Sequence, residues 1–238
     1  MPPDPQADAI ERYLVLADIS GYTAFLAGVE QQHGEDFSGG LPAGYRVLGE
    51  LISAIIDDLK PEFELVKVEG DAVFGAAPAS ALDGRGSSLI DHLGAVYRSF
   101  TVRRDKMVIT ATDDKCNACF AVASLDLKIV IHRGFAVRHP IGGVNDLSGP
   151  AVNVAHRLLK NTVRDRIGAR PYLLLTAAAA SKLGLGETGV EHHEEYADVG
   201  RIDVRVLDLA EAAGVAMSTW LGPAPGPGTW PEIRISGA

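Results

Sequence analysis

Two short apolar runs separated by a turn signal constrain the fold of this 238-residue chain most strongly. Leu65–Val68 and Ala72–Phe74 lie on either side of Glu69-Gly70, where glycine supplies the backbone freedom that a tight turn needs. The pattern predicts a β-hairpin within residues 62–77, with Asp71 at the first position after the turn, well placed to face a ligand. Taken alone, the stretch is equally typical of an ordinary exposed hairpin tip with scattered charges.

A second feature precedes the hairpin, where a short apolar run ends in a carboxylate. Residues 13–19 predict a buried strand with Asp18 near its end, and a helix is expected from Tyr22 to Gln32. The turn between them, Ser20-Gly21-Tyr22-Thr23, leads into a helix N-terminus that presents free N–H groups to an anion. A simple strand–turn–helix connection is the commoner meaning of such a turn when it stands alone.

The remaining pattern predicts an α+β fold. Helices are expected over residues 45–59, 87–104, 151–162 and 177–183, with Thr176 as an N-cap and Pro150 in a first turn. Strands are expected over 125–137, 172–175, 194–199 and 201–209, while 107–112 fits a strand or an extended connection and 138–150 is irregular. This order favours a mostly antiparallel sheet with helices on one face, containing a ferredoxin-like split βαβ unit.

Composition and charge narrow the class of protein. The net charge of −9 disfavours a nucleic-acid surface and an anionic membrane as partners, although metal ions and local cations can still hold a small anionic ligand. Only two cysteines occur, no signal peptide is evident in residues 1–9, and no apolar run reaches the roughly 18 residues of a membrane span. We therefore expect a soluble, reduced, cytoplasmic protein.

Four stretches in the chain match one family in order and internal spacing. They are Ala-Asp-Ile-Ser-Gly-Tyr-Thr at 17–23, Lys-Val-Glu-Gly-Asp-Ala-Val at 67–73, Leu-Lys-Ile-Val-Ile-His-Arg-Gly at 127–134, and Asp-Leu-Ser-Gly-Pro-Ala-Val-Asn-Val-Ala-His-Arg-Leu at 146–158. Together they resemble the catalytic domain of class III nucleotidyl cyclases. The resemblance covers residues 12–210 as a cyclase homology domain, with 1–11 as a flexible leader and 211–238 as a Gly/Pro-rich C-terminal tail.

The resemblance implies a metal-dependent site on the first strand and the hairpin. Asp18 and Asp71 match the two metal carboxylates, with the main-chain carbonyl of Ile19 as a further ligand, for two Mg²⁺ or Mn²⁺ ions per site. The turn formed by Ser20, Gly21, Tyr22 and Thr23 would cradle the phosphates of the substrate.

The resemblance also implies which base the substrate carries and how the subunits assemble. Lys67 and Asp146 match the base-reading pair in its adenine-selecting version, since Lys can donate to adenine N1 and the carboxylate can accept from the N6 amino group. Asn153 matches the residue that orients the ribose, and Arg157, one helical turn later, the residue that stabilises phosphoryl charge. In the family these residues and the metal pair come from different subunits, so a homodimer is expected, with the hairpin at its interface, converting ATP into cyclic AMP and pyrophosphate.

Other interpretations remain open from the residues themselves. The domain is also compatible with a catalytically silent nucleotide-binding or regulatory module, or with a cyclase acting on another nucleoside triphosphate. Cys116 and Cys119 are compatible with half of a zinc site, with His132 and His139 as helpers, although a plain reduced loop is the preferred interpretation. The run Glu191-His192-His193-Glu194 is interpreted as a solvated charge run rather than a metal site.

Overall fold

The computed structural model describes residues 8–33, 43–113, 121–141, 144–168 and 171–214. Within them an eight-stranded sheet has the order β2-β3-β1-β4-β6-β8-β7, and β5 pairs with the far end of β4. Only the β4–β6 pair among these strands is parallel. The strands are β1 (Asp8–Ser20), β2 (Glu64–Glu69), β3 (Ala72–Pro78), β4 (Asp126–Ile141), β5 (Val144–Ser148), β6 (Tyr172–Thr176), β7 (Val190–Tyr196) and β8 (Gly200–Asp208).

The helices connect these strands and are mostly short. They are α1 (Tyr22–His33), α2 (Ala43–Leu59), α3 (Ala79–Leu82), α4 (Gly86–Asp113), α5 (Pro150–Leu158), α6 (Val163–Ile167), α7 (Ala177–Leu183) and α8 (Leu209–Ala213), with a 3-10 turn at Ala121–Ser124. The expected N-cap at Thr176 is present, since its hydroxyl accepts from the Ala179 N–H. In the described part of the chain no helix combines the length and apolar character needed to cross a bilayer.

The alternation of side chains along β1 divides the core into two clusters. Tyr13, Val15 and Ala17 face one side of the sheet and pack with the apolar faces of α1, α2, α4, α7 and α8. Leu14 and Leu16 face the other side, where α5 and α6 form a partial second layer. The expected α+β fold with a mostly antiparallel sheet is confirmed, and the short helices on the second face place their residues beside the hairpin.

Several expected boundaries differ from the structure. Helix α5 ends at Leu158 and not at residue 162, and β7 is Val190–Tyr196 where a strand over 194–199 was expected. Strand β1 begins at Asp8, so residues 8–11, expected in the leader, pair with residues 135–138 of β4. Helix α4 continues to Asp113, so residues 107–112 are helical. Residues 138–141 and 144–148, expected to be irregular, form the β4–β5 pair. Pro140 is accommodated there because β5 adds to the end of β4, outside the central part of the sheet.

Candidate functional site

The two predicted metal carboxylates lie at the same end of neighbouring strands. Asp18 pairs with Ala72 across the β1–β3 ladder, and the Ile19 N–H donates to the carbonyl of Asp71 over 3.1 Å. Asp71 itself lies in the two-residue connection Gly70-Asp71, because Glu69 pairs with Ala72. The expected turn at Glu69-Gly70 is thus wrong by one residue, and the positive φ of 63° at Gly70 shows where the chain reverses.

The electrostatics at this strand end favour a cation. Burial raises the pKa of Asp71, and the negative charge of Asp18 raises it further, while Lys128 partly opposes the shift. Lys128 lies opposite Asp18 in the β1–β4 ladder, with its Nζ 3.0 Å from Asp18 Oδ2. Two close carboxylates share one ammonium, so the cluster keeps a net negative charge.

These donors fit a divalent metal ion. Mg²⁺ and Mn²⁺ prefer oxygen ligands, and Mg²⁺ is commonly bound by one or two carboxylates together with substrate phosphates and water. Asp18 and Asp71 supply that pair, and the described residues contain no cluster of three or more His, Cys, Asp or Glu side chains arranged to hold a metal. The further ligands of a bound ion would be oxygen atoms of the main chain, the substrate or water.

The turn after β1 has the geometry expected of a helix N-terminus. Gly21 adopts a positive φ of 89°, and a side chain there would meet the Ser124 carbonyl at 3.1 Å. Its own carbonyl accepts from the Phe25 N–H, which starts the hydrogen-bond ladder of α1. The amide groups of Tyr22 and Thr23 precede that first intrahelical bond, so they lack intrahelical partners. Burial raises the pKa of Tyr22, and the charges of Asp71 and Glu30 raise it further.

The predicted base-reading residues lie together in one chain. Lys67 on β2 and Asp146 on β5 are 79 positions apart, and Lys67 Nζ donates to Asp146 Oδ2 over 3.2 Å. The hydrogen bond to Glu69, 3.0 Å away, is the largest cause of the raised pKa of Lys67, ahead of the bond to Asp146. Burial raises the pKa of Asp146, but the Leu147 N–H and Lys67 outweigh it and hold that pKa below its usual value. The ammonium thus stays charged between two carboxylates.

Sequence reasoning missed three polar side chains in this region. Lys128, described above, also donates to the carbonyl of Leu159 after α5, over 3.0 Å. Glu69 accepts from Lys67 and contacts His156 Nε2 at 2.8 Å. The spacing of two residues between Lys67 and Glu69 places both on one face of β2 and was the available signal. Nothing local indicated His156, because it reaches Glu69 from a different element.

Helix α5 carries the predicted ribose and phosphate residues on its exposed side. Pro150 lies in its first turn, as expected, after Gly149 with a φ of 125°. Asn153 is exposed, and Arg157 Nε donates to Asp198 Oδ2 over 2.7 Å. Among the described residues, no hydrogen bond or ion pair joins either side chain to Asp18 or Asp71 in the same chain.

The interpretation of residues 191–194 as a solvated charge run is wrong for two of the four. The His192 and Glu194 side chains are 8% and 3% exposed, whereas Glu191 and His193 point outward as alternation on β7 requires. Glu194 is satisfied internally because it accepts from the Thr162 N–H at 2.8 Å and contacts His192 Nε2 at 2.9 Å. Because the Glu194 carboxylate is buried and paired, its contact with His192 serves to stabilise the fold.

The zinc alternative falls on residues outside the described part of the chain, since Cys116 and Cys119 lie between residues 113 and 121. Its two suggested helpers have other partners. His132 Nδ1 lies 3.1 Å from the Thr176 hydroxyl, and His139 Nε2 lies 2.9 Å from the Ser148 hydroxyl.

Solved cyclase structures share this fold at low sequence identity. The adenylyl cyclase CyaB from P. aeruginosa has a TM-score of 0.60 and 14% identity, covering 85% of this chain and 96% of that one. The guanylyl cyclase Cya2 has a TM-score of 0.60 and 13% identity, covering 91% and 98%. A bacterial light-regulated adenylyl cyclase has a TM-score of 0.58 and 18% identity, covering 87% of this chain, which spans only 54% of that longer protein. These similarities show a cyclase-like fold.

Sequence comparison gives one curated relative and one family. The uncharacterized protein Rv2561/Rv2562 of Mycobacterium tuberculosis is 28% identical over 166 residues, which is 68% of this chain and 74% of the relative. The family model described as a protein of unknown function, DUF2652, matches residues 48–166, half of the chain, and includes Lys67, Asp71, Asp146, Asn153 and Arg157. The chain therefore belongs to the DUF2652 family.

Proposed function

We propose that this protein is an adenylate cyclase that converts ATP into 3′,5′-cyclic AMP and pyrophosphate at two composite sites of a homodimer. The observation that carries the proposal is the contact between Lys67 and Asp146, because it joins a hydrogen-bond donor and an acceptor from distant parts of the chain at one place. Adenine presents the complementary pattern, an acceptor at N1 beside a donor at the N6 amino group.

The chain's own residues account for binding and orientation. Asp18 and Asp71, with the Ile19 carbonyl, would hold divalent ions such as Mg²⁺ or Mn²⁺. When bound, these ions supply charge neutralisation of the triphosphate and lower the pKa of the 3′-hydroxyl. The amide groups at the start of α1 face the phosphates, and Asn153 orients the ribose. The 3′-oxygen bonds to the α-phosphorus as the bond to pyrophosphate breaks, and the 3′-proton leaves to solvent.

Arg157 has a separate role in this scheme. Its guanidinium carries a permanent charge and several directed N–H donors, which suit negative charge growing on the phosphoryl oxygens. Because neither Asn153 nor Arg157 forms a hydrogen bond or ion pair with Asp18 or Asp71 within the described chain, we assign the two groups to different subunits. The hairpin then lies at the interface between subunits, with Asp71 and Lys67 serving different sites.

The direct test is purified protein incubated with each of the four common nucleoside triphosphates and Mn²⁺, with cyclic nucleotide measured by chromatography. We expect cyclic AMP from ATP and little product from the others. No cyclic product from any of the four would contradict the proposal. Cyclic GMP as the main product would keep the reaction class and overturn the base assignment.

A second function is favoured by the ion pair between Arg157 and Asp198, whose atoms approach to 2.5 Å. In this arrangement Asp198 competes with phosphate for the guanidinium, so the chain could bind nucleotide without turnover. Calorimetry with ATP and Mn²⁺ separates the two functions, since tight binding without cyclic product supports the silent module.

A further inference from the structure

Four polar side chains, Asp146, Lys67, Glu69 and His156, form a continuous row beside the hairpin. Asp146 contacts Lys67 at 3.2 Å, Lys67 contacts Glu69 at 3.0 Å, and Glu69 contacts His156 at 2.8 Å. The four side chains are 29% to 35% exposed, so they border solvent without being surrounded by it. The row links the base-reading pair to α5, the helix that carries Asn153 and Arg157.

His156 forms the end of the row, and the groups around it fix its orientation. Its Nδ1 lies 2.8 Å from the Val152 carbonyl, and its Nε2 lies 2.8 Å from Glu69 Oε2. Each ring nitrogen therefore faces an oxygen atom, one on its own helix and one on β2. The Phe74 ring meets the imidazole edge-on at 5.1 Å and restricts its orientation. His156 is thus held by its own helix and directed at Glu69.

Two contacts in the middle of the row fix the direction of the Lys67 ammonium. An ammonium has three protons, and here one is directed to Glu69 and one to Asp146, which leaves one for a further acceptor. Glu69 Oε1 lies 3.0 Å from Lys67 Nζ, and Glu69 Oε2 lies 2.8 Å from His156 Nε2. Glu69 is therefore a carboxylate with both oxygens engaged.

We infer that Glu69 is a positioning residue for base selection, which holds the third proton of Lys67 toward the purine, and that His156 anchors Glu69 to α5. This inference rests on the proposed function and deepens it. Asp146 alone would leave the long Lys67 side chain free to rotate about one contact. With two anchors, the ammonium keeps one direction and ring N1 of adenine is the acceptor that fits it.

A direct role of Glu69 in reading guanine is less consistent with the geometry. Guanine presents N–H donors at N1 and at its amino group, which a free carboxylate can accept. Glu69 Oε1 is engaged by Lys67 and Oε2 by His156, so neither oxygen is available without breaking a charged contact. The row thus keeps Glu69 as a support for Lys67.

The test compares Glu69→Gln with Glu64→Gln, a matched control. Glu64 lies on the same strand and also pairs with a cation, Arg138, at 2.6 Å, so both changes replace a carboxylate that is paired with a basic side chain. We expect Glu69→Gln to raise the KM for ATP about tenfold with kcat nearly unchanged, since a charged hydrogen bond that fixes the base contributes to binding. The preference for ATP over GTP should fall by about the same factor. The control should leave both quantities unchanged.

His156→Leu extends the test to the anchor. We expect a rise in KM for ATP of about threefold, and no additional rise when His156→Leu is combined with Glu69→Gln, because His156 acts through Glu69. A purely structural role would instead reduce the active fraction, and therefore kcat, with additive effects.

Two results overturn the inference while leaving the proposed function intact. One is an active wild-type protein whose KM and base preference do not change in Glu69→Gln, and the other is additive effects in the double variant. If wild type forms no cyclic nucleotide, the same comparison is made by calorimetry with ATP and GTP, and equal affinities in Glu69→Gln and Glu64→Gln overturn the inference. A wild type that binds neither nucleotide overturns both proposals.

Discussion

The ammonium of Lys128 lies 3.0 Å from Asp18 Oδ2, directly across the β1–β4 ladder and 110 positions away in sequence. The same ammonium donates to the carbonyl of Leu159 over 3.0 Å. One cation therefore joins a proposed metal carboxylate to the chain that follows α5. The charge of a metal ion bound to Asp18 would be felt directly by Lys128.

Replacing Lys128 with methionine should have opposite effects on metal binding and on stability. Loss of a nearby positive charge should raise the affinity for Mn²⁺ about fivefold. Loss of the two contacts of a mostly buried ammonium should lower the free energy of unfolding without metal by about 1 to 3 kcal/mol. Calorimetry with Mn²⁺ and urea denaturation measure the two quantities. Lys60→Met, which removes an exposed cation paired with Asp57, serves as control, and an unchanged Mn²⁺ affinity in Lys128→Met contradicts this prediction.

Asp71→Asn should stabilise the metal-free protein and abolish its response to metal. The folded protein raises the pKa of Asp71 through burial and the charge of Asp18, so the ionised carboxylate destabilises the fold at neutral pH. A neutral amide removes that penalty and also a metal ligand. Thermal melts with a chelator should show a higher Tm for the variant than for wild type. Thermal melts with Mn²⁺ should show no metal-induced rise in the Tm of the variant. A rise in the Tm of the variant with Mn²⁺ equal to that of wild type would place the metal elsewhere. Asp91→Asn, on the exposed side of α4, is the control.

His132 should make the stability depend on pH between its two pKa values. Burial lowers the pKa of His132 from 6.5 to about 4, so the ring stays neutral in the folded chain while the unfolded chain takes up a proton. The folded state is favoured fully above pH 6.5 and loses stability as the pH falls toward 4. In wild type, this histidine should lower the free energy of unfolding by about 3 kcal/mol as the pH falls from 6.5 to 4. His132→Gln should abolish that contribution. Urea denaturation across the range measures it, and a pH dependence in His132→Gln equal to that of wild type would contradict the prediction.

Arg157→Ala should affect the reaction far more than the fold. The side chain and its partner Asp198 are each 49% exposed, and such pairs contribute about 1 kcal/mol or less to stability. The loss of a guanidinium facing phosphoryl charge should lower kcat about a hundredfold, and lysine should not restore it. Cyclase assays and melts measure both effects. Arg201→Ala is matched in exposure and pairing, and equal activity of the two variants would remove Arg157 from the reaction.

Mixing two inactive variants should restore activity if the sites are composite. In a heterodimer of Asp71→Asn and Arg157→Ala, one site carries both defects and the other carries neither. Random exchange of subunits in an equal mixture should therefore give about a quarter of the wild-type activity. The measurement is cyclic AMP formation after the two proteins are refolded together or coexpressed. Activity that stays at the level of the separate variants would assign both residues to one subunit.

The elements that could be predicted from the sequence each depend on a pattern of neighbouring residues. The turn after Asp18, the hairpin around Gly70 and the helix bearing Asn153 and Arg157 each follow from periodicity or turn chemistry within about a dozen residues. Arg157 could be placed one turn after Asn153 because helical geometry alone sets that spacing. The cyclase-like fold followed from the order of these local patterns.

The residues that could not be read depend on which elements become neighbours. The extended form of residues 138–141 and 144–148 was missed because Pro140 suggested irregular chain, and it is the pairing of β4 with β5 that stabilises this form. Glu194 was expected in solvent, but Thr162, just before α6, donates two hydrogen bonds to its Oε1. A one-residue difference in the hairpin moved Asp71 into the turn, since register is set by the partner strand.

The sequence by itself determined the alternating and helical patterns, the glycine-containing turns and the types of side chain available to the site. The tertiary structure decided which charges meet. Lys67 is 79 positions from Asp146, and Glu69 is 87 positions from His156. Such contacts arise only when the sheet and α5 pack together, because burial of two separate apolar faces brings these strands and this helix side by side. No local pattern contains that information.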